Sequence, residues 1–221
     1  MGMKRRIDWS LYFVTDGKLA RGRAVEDVVA AAVRGGVTVV QLREKELSTR
    51  EFIESARRLR AALESAGVPL IINDRVDVAL AAGAAGVHLG QSDMPCPDAR
   101  RLVGRDAIIG LSVETLDQAE EAESLDVDYL GVSPIFSTPT KTDTAGEWGI
   151  EGLRNLRLCT GRVLVAIGGL NSSNAAGVIE AGADGIAVVS AIAAAPDPEV
   201  AARELRRIVE EARTIQGRTM P

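Results

Sequence analysis

The ten residues AGADGIAVVS, at positions 181–190, contain the pattern from which the fold can be predicted. Alanine and glycine at 181–185 are typical of a helix end and a turn, and the apolar run at 186–189 is typical of a strand buried on both faces. The segment AGAAGVHLG at 82–90 repeats this order, and RGGVT at 34–38 repeats its first half. Each segment therefore predicts a helix end, a turn and the next strand.

The same alternation runs along the whole chain. Short apolar runs predict strands at 11–15, 38–42, 70–73, 86–89, 108–112, 129–132, 163–167 and 186–189. The stretches between them, rich in alanine, glutamate and arginine, predict helices at 25–34, 49–66, 75–82, 97–103, 116–124, 153–159, 173–181 and 198–216. Nearly continuous apolar strands that alternate with helices predict a parallel α/β fold.

Repetition of this unit favours a closed TIM (β/α)8 barrel, formed as one domain over residues 1–221. The other candidate is an open doubly wound sheet. It is disfavoured because no Gly-x-Gly-x-x-Gly follows the first strand.

The composition argues against several classes of function. A hydrophobic content of 46% allows a sizeable core, whereas 3% aromatic residues and a net charge of -5 argue against a nucleic-acid surface. Cys96 and Cys159 lack metal-binding spacing, so neither a zinc site nor a disulfide is predicted. Residues 1–10 lack the apolar core of a secretory signal, and no apolar run reaches about 18 residues. We therefore expect a cytoplasmic protein without a membrane span.

A phosphate site is predicted after the seventh and eighth strands. Functional groups of a (β/α)8 barrel lie at the carboxyl ends of its strands. Gly168 and Gly169 end the seventh strand, and Val189 and Ser190 end the eighth. Backbone N–H groups at such positions can bind phosphate. The alternative is that the glycine pair only forms a turn.

A second anion site is predicted from charged side chains at other strand ends. Arg43, Lys45 and Lys141 are cations there, and Asp74 and Asp93 are carboxylates. This set suits Mg²⁺ bridged to a pyrophosphate, because Mg²⁺ is usually held by one or two carboxylates and phosphate oxygens. Alternative roles are a solvated charge run at 43–46 for Arg43 and Lys45, a helix cap for Asp74 and a loop turn for Asp93.

Two further features are less specific. His88, the only histidine, lies on an apolar strand, where a hydrogen-bonded core residue is commoner than a catalyst. Residues 133–148 form the longest predicted loop, and their threonine, proline and glycine content is typical of a mobile lid.

Six strings in these loops resemble those of the thiamine-phosphate synthases. They are QLREK at 41–45, INDR at 72–75, VHLGQ at 87–91, PIFSTPTK at 134–141, AIGG at 166–169 and VVSAI at 188–192. They extend from the second strand to the eighth, so the resemblance covers nearly the whole chain. QLREK and TPTK are specific, whereas IGG occurs in many phosphate-binding barrels.

The resemblance implies a transferase that joins 4-amino-2-methyl-5-hydroxymethylpyrimidine diphosphate to hydroxyethylthiazole phosphate, or to a carboxylated form of it. Thiamine phosphate and pyrophosphate are the products, and Mg²⁺ is the cofactor.

The resemblance also implies which residues contact the substrates and the metal. Carried over by position, the implied contacts are Gln41 with the pyrimidine; Arg43, Lys45, Asn73 and Lys141 with the pyrophosphate; Asp74 and Asp93 with Mg²⁺; Ser112 with the reacting groups; and Thr138, Thr140, Gly169, Val189 and Ser190 with the thiazole phosphate. Those expected to act in catalysis are Arg43, Lys45, Ser112 and Lys141. One departure from the family pattern is Ser92, where an acidic residue is expected.

Other functions remain open at this point. A thiazole-phosphate isomerase of the same barrel type needs the phosphate site but not the whole charged set. A sugar-phosphate epimerase needs paired acids or metal-binding histidines, for which one histidine is too few. A non-catalytic phosphate-binding regulator needs no such set. The expected partners are small-molecule substrates, without nucleic acid or membrane, and a homo-oligomer is compatible with the sequence.

Overall fold

The computed structural model describes residues 7–138, 146–215 and 217. Within these residues, parallel strands alternate with helices around a barrel. The strands are β1 (Leu11–Val14), β2 (Val39–Leu42), β3 (Leu70–Asn73), β4 (Gly86–Leu89), β5 (Ile108–Val113), β6 (Tyr129–Val132), β7 (Leu164–Ile167) and β8 (Gly185–Val188). They lie in sequence order, and β8 pairs with β1. The predicted (β/α)8 barrel is confirmed and the open sheet is excluded, whereas the extent of one domain over residues 1–221 stays a prediction.

The helices pack around the outside of this barrel. They are α1 (Val25–Arg34), α2 (Thr49–Glu64), α3 (Val76–Ala82), α4 (Cys96–Val103), α5 (Leu116–Ala122), α6 (Gly149–Cys159), α7 (Ala175–Glu180), α8 (Ser190–Ala193) and α9 (Pro198–Ile215). Ser48 and Glu51 form a reciprocal capping box at the start of α2. Helix α6 begins at 149 rather than at the predicted 153, because Ile150 also packs against the core. Among the described helices, none is both long and apolar enough to cross a membrane.

Alternate strand residues point to opposite sides of the barrel wall, as the pleat of a strand requires. On β1, Leu11 and Phe13 pack outward in the cluster between strands and helices, whereas Tyr12 and Val14 belong to a separate interior cluster. The interior cluster consists of Tyr12, Val14, Val39, Ile71, Ile108, Tyr129, Val165 and Ala187. Nearer the carboxyl ends of the strands, the residues that line the interior become polar.

Two aspartates tie together the amino ends of neighbouring strands. Asp128 and Asp184 precede β6 and β8, and each accepts a 2.9 Å hydrogen bond from a backbone N–H of the preceding strand, β5 or β7. Each also accepts a 3.0 Å hydrogen bond from an arginine of the helix that leads into that neighbouring strand, Arg100 of α4 or Arg157 of α6. These contacts hold the end of the barrel opposite to the polar interior, which is consistent with a structural role for that end.

Candidate active site

The carboxyl ends of the strands surround a cavity of about 430 Å³. Most of the residues predicted from the sequence line it: Gln41, Arg43, Lys45, Asn73, Asp74, Asp93, Ser112, Thr138 and Val189. Gly169 and Ser190 do not line the cavity themselves but directly follow residues that do. Thr140 and Lys141 lie outside the described residues, as does the rest of the 139–145 stretch of the predicted lid. The closed barrel thus brings together the predicted groups that can be placed.

A larger cavity of about 1020 Å³ opens at the amino ends of the strands. One of its charged groups, Arg206, is ion-paired with Asp8 and Glu210 at 2.8 and 2.6 Å. Active sites of (β/α)8 enzymes lie at the opposite end. We therefore assign the chemistry to the smaller cavity.

Asp74 and Asp93 form a carboxylate pair at the rim of the smaller cavity. Asp74 directly follows β3 with a φ of 63°, a backbone conformation that Asp and Asn adopt more readily than most other residues. Burial and the neighbouring Asp93 carboxylate raise the pKa of Asp74 to about 6, whereas Lys45 and Arg43 lower it. These four charged groups are therefore close enough to act on one another. The alternative role of Asp74 as a helix cap is wrong, because Arg75 is the residue that precedes α3.

This carboxylate pair fits a divalent cation. One oxygen of Asp93, Oδ2, accepts a 2.7 Å hydrogen bond from the Gly90 N–H, so its side chain is held within its own loop. Within the described ranges, no group of three or more His, Cys, Asp and Glu side chains could hold a metal ion. A metal at this pair would complete its shell with water or phosphate oxygens, which is the usual coordination of Mg²⁺.

The charged run at 43–46 divides between the cavity and the protein surface. The Arg43 N–H donates to Thr15 Oγ1 over 3.1 Å, which links the end of β2 to the end of β1. Arg43 and Lys45 line the cavity, whereas Glu46 does not and pairs with Lys18. The alternative of a solvated charge run therefore applies to Glu46, whereas Arg43 is partly buried in the cavity wall and Lys45 is exposed but still lines the cavity.

Gly168 and Gly169 connect the loop after β7 to the loop after β6. Their φ values are 105° and 66°, in the region that favours glycine. A Cβ on Gly168 would lie 2.7 Å from the Cβ of Pro134, and one on Gly169 would lie 2.8 Å from the Ser137 carbonyl oxygen. The turn geometry and the loop packing both require glycine here, so the phosphate role of Gly169 stays a prediction.

A chain of hydrogen bonds crosses the barrel interior at this cavity. Gln41 Nε2 donates to Tyr12 Oη over 2.8 Å, and the Tyr12 and Tyr129 hydroxyl oxygens are 2.8 Å apart. His88 Nδ1 lies 2.8 Å from Tyr129 Oη, and His88 Nε2 lies 2.9 Å from Ser112 Oγ. His88 is thus hydrogen-bonded, as expected of a core histidine. The role of the two tyrosines could not be predicted from the strand pattern, because both lie in apolar strands, where a tyrosine is typically a packing residue.

Two strand glycines leave space for the side chains that form these hydrogen bonds. Gly110 lies in register between His88 and Tyr129, and a Cβ there would lie 2.1 Å from Tyr129 Cζ. A Cβ on Gly131 would lie 2.8 Å from His88 Cε1. Glycine inside a strand often marks a close approach. These glycines are the signal from which large inward side chains could have been predicted.

Residues 11–192 match the family model described as thiamine monophosphate synthase. The chain belongs to this family. It is 60% identical over 200 residues to the thiamine-phosphate synthase of Albidiferax ferrireducens, with 90% of this chain and 91% of that protein covered. The thiamine-phosphate synthase of Chloroflexus aurantiacus is 54% identical over 209 residues, which cover 95% and 96% of the two chains. A solved structure, thiamine phosphate pyrophosphorylase from Pyrococcus furiosus, has a TM-score of 0.86 at 41% identity and covers 93% of this chain and 97% of that one.

The family match confirms the resemblance seen in the loop strings and the expectation of an enzyme of the transferase class. It does not favour the isomerase, the epimerase or the non-catalytic regulator. The functions of the individual site residues stay predictions, which the geometry above makes testable.

The first test concerns the space inside the barrel. We expect Gly110→Ala to lower the free energy of unfolding by about 3 kcal/mol, because the new Cβ would collide with the ring of Tyr129 in a closed wall. Gly161→Ala adds the same methyl group where no atom lies within 4 Å, so it should leave stability nearly unchanged. Urea unfolding followed by circular dichroism compares the two. Equal stabilities would contradict this description of the barrel interior.

Proposed function

We propose that this chain joins 4-amino-2-methyl-5-hydroxymethylpyrimidine diphosphate to hydroxyethylthiazole phosphate, or to its carboxylated form, and releases pyrophosphate. Family membership supports this reaction. The observation that carries it is the meeting of Arg43, Lys45, Asp74 and Asp93 at one cavity rim. A departing pyrophosphate needs both cationic side chains and a metal, whereas an isomerase that only rearranges a thiazole phosphate does not.

The cavity offers separate places for the two substrates. Its volume of about 430 Å³ lies within the range of small-molecule sites. Gln41, buried on β2, would contact the pyrimidine ring, and Asn73 at the end of β3 would contact the diphosphate. The thiazole phosphate would lie across the barrel against the residues after β6, β7 and β8, which are Thr138, Thr140, Gly169, Val189 and Ser190. Lys141 keeps its predicted role at the pyrophosphate.

Mg²⁺ is the proposed cofactor, held by Asp74 and Asp93. Burial and, after it, the neighbouring Asp93 carboxylate raise the pKa of Asp74, and a divalent cation would neutralise this pair. When bound, the metal would supply positive charge to the diphosphate oxygens. Arg43 and Lys45 would hold the same oxygens from the β2 side of the cavity.

The proposed reaction needs neither a general base nor a covalent nucleophile from the protein. Breakage of the C–O bond leaves a pyrimidinylmethyl cation, and the thiazole nitrogen then attacks its methylene carbon. Arg43 and Lys45 would stabilise the negative charge that grows on the leaving group. Ser112 would hydrogen-bond near the reacting groups, and the cavity walls would hold the two substrates in contact.

We further propose a cytoplasmic enzyme whose partners are these small molecules. This follows from the composition and from the cavity, which has the size of a metabolite site. A homo-oligomer stays compatible with the sequence.

Pyrophosphate release tests the proposed function directly. Mixing the enzyme with both substrates and Mg²⁺ should yield pyrophosphate and thiamine phosphate in equal amounts. Omission of the thiazole phosphate should abolish thiamine phosphate formation. Conversion of a thiazole phosphate without any pyrophosphate would instead indicate an isomerase, and binding without turnover would indicate a regulator.

The two anion sites should be separable by kinetics. Lys45→Ala should lower kcat by about tenfold or more, because its ammonium group faces charge that grows in the transition state. Ser190→Ala should raise KM for the thiazole phosphate and leave kcat within about twofold, because the charge of that phosphate does not change during the reaction. Steady-state rates with each substrate varied in turn measure both effects.

Lys18→Ala is the matched control for Lys45→Ala. Lys18 is an exposed lysine near the same loop, ion-paired with Glu46 and not part of the cavity lining. Its loss should change neither constant. If Lys45→Ala raised only the thiazole KM, or Ser190→Ala lowered only kcat, the two sites would have been assigned the wrong way round.

A further inference from the structure

The hydrogen-bond chain from Gln41 to Ser112 has a direction. Because Gln41 Nε2 donates to Tyr12 Oη, the Tyr12 hydroxyl hydrogen is left to donate to Tyr129 Oη. In this arrangement the Tyr129 hydroxyl would donate to His88 Nδ1, and the neutral ring would carry its hydrogen on Nε2 and donate it to Ser112 Oγ. The opposite direction would require the Gln41 amide to turn over, so that Oε1 accepts from Tyr12.

Both phenols stay protonated, so each supplies one hydrogen to the chain. Burial raises the pKa of Tyr12 and of Tyr129 well above that of a free tyrosine. Each side chain is about 1% exposed, which leaves little access for water to replace a partner. Trp9 packs against the Tyr129 ring with a centroid distance of 4.6 Å, and Gly110 adjoins that ring from the neighbouring strand. The direction of the hydrogen bond at one residue therefore fixes the direction of the hydrogen bond at the next residue.

We propose that Tyr12, Tyr129 and His88 are positioning residues that hold the Gln41 amide with its carbonyl oxygen toward the cavity, and that they thereby select a 4-aminopyrimidine. This inference rests on the proposed function, in which Gln41 contacts the pyrimidine. A 4-amino group donates N–H to the carbonyl oxygen, whereas a 4-oxo ring would place a second acceptor against it. A site built for a donor rejects an analogue that lacks one.

The hydrogen bond between Gln41 Oε1 and the 4-amino group would affect the rate as well as binding. When the C–O bond breaks, positive charge spreads from the methylene carbon to the 4-amino group, and its N–H becomes a stronger donor. The hydrogen bond to Gln41 Oε1 therefore strengthens toward the transition state. Loss of the orienting chain should consequently lower kcat more than it raises KM for the pyrimidine substrate.

The direction of the chain can be measured without turnover. His88 is the only histidine, so protein labelled with ¹⁵N-histidine gives the signals of a single imidazole ring. In neutral wild-type enzyme we expect one tautomer, with the hydrogen on Nε2. A hydrogen on Nδ1 would reverse the chain and overturn the proposal. This result is independent of the proposed function, which fails instead if no pyrimidine diphosphate yields pyrophosphate.

Tyr129→Phe removes only the hydroxyl group that joins Tyr12 to His88. We expect kcat to fall about tenfold, KM for the pyrimidine diphosphate to stay within about threefold, and the preference for the 4-amino over the 4-oxo substrate to fall about tenfold. The ¹⁵N signals of His88 should also move toward a mixture of tautomers. Tyr12→Phe interrupts the chain one step earlier and should reduce the 4-amino preference in the same way.

Trp9→Phe is the packing control. It changes the aromatic contact on Tyr129 but removes no member of the chain, so the 4-amino preference and the His88 tautomer should be unchanged. A purely structural role for the tyrosines predicts the opposite pattern. Both Tyr→Phe variants would then lose stability while keeping the wild-type tautomer and the wild-type 4-amino preference, and that outcome would overturn the proposal.

Discussion

The parallel pairing of β8 with β1 closes the barrel, and the positions of the candidate active-site groups depend on that closure. In an open sheet these two strands would lie apart. Closure instead brings Tyr12 of β1 within hydrogen-bonding distance of Tyr129 of β6, across the interior. A closed wall also fixes the interior width. Large side chains such as Tyr129 can enter it only because Gly110 carries no side chain.

The same closure gathers charges that are unfavourable together in the absence of a ligand. Asp74 is half-buried beside Asp93, and its pKa is raised for that reason. Its backbone also lies in a region that few non-glycine residues adopt. Such costs are typical of functional sites, where a bound ligand offsets them. Arg43 and Lys45 reduce the electrostatic repulsion between these carboxylates, and the proposed Mg²⁺ would offset the remainder.

Much of this arrangement follows from the sequence. The apolar runs predict β3, β4 and β6 with the bounds that the structure has, and the polar residues at strand ends predict most of the cavity lining. Both succeed because a parallel barrel repeats one local unit and brings all carboxyl ends to one rim. The roles of Tyr12 and Tyr129 could not be predicted in this way. A strand buried on both faces shows no alternation that would distinguish inward from outward side chains.

The central claim is that Asp74, Asp93, Arg43 and Lys45 form one site for Mg²⁺ and pyrophosphate. Calorimetric titration of pyrophosphate into the wild-type enzyme, with Mg²⁺ and with EDTA, tests it most directly. We expect pyrophosphate to bind at least about tenfold more tightly with Mg²⁺ than with EDTA. Asp74→Asn, which the left-handed backbone tolerates, should lose this gain, whereas Asp77→Asn, at an exposed side chain on α3, should keep it. Equal affinity with and without Mg²⁺, or an undiminished Mg²⁺ effect in Asp74→Asn, would contradict the claim.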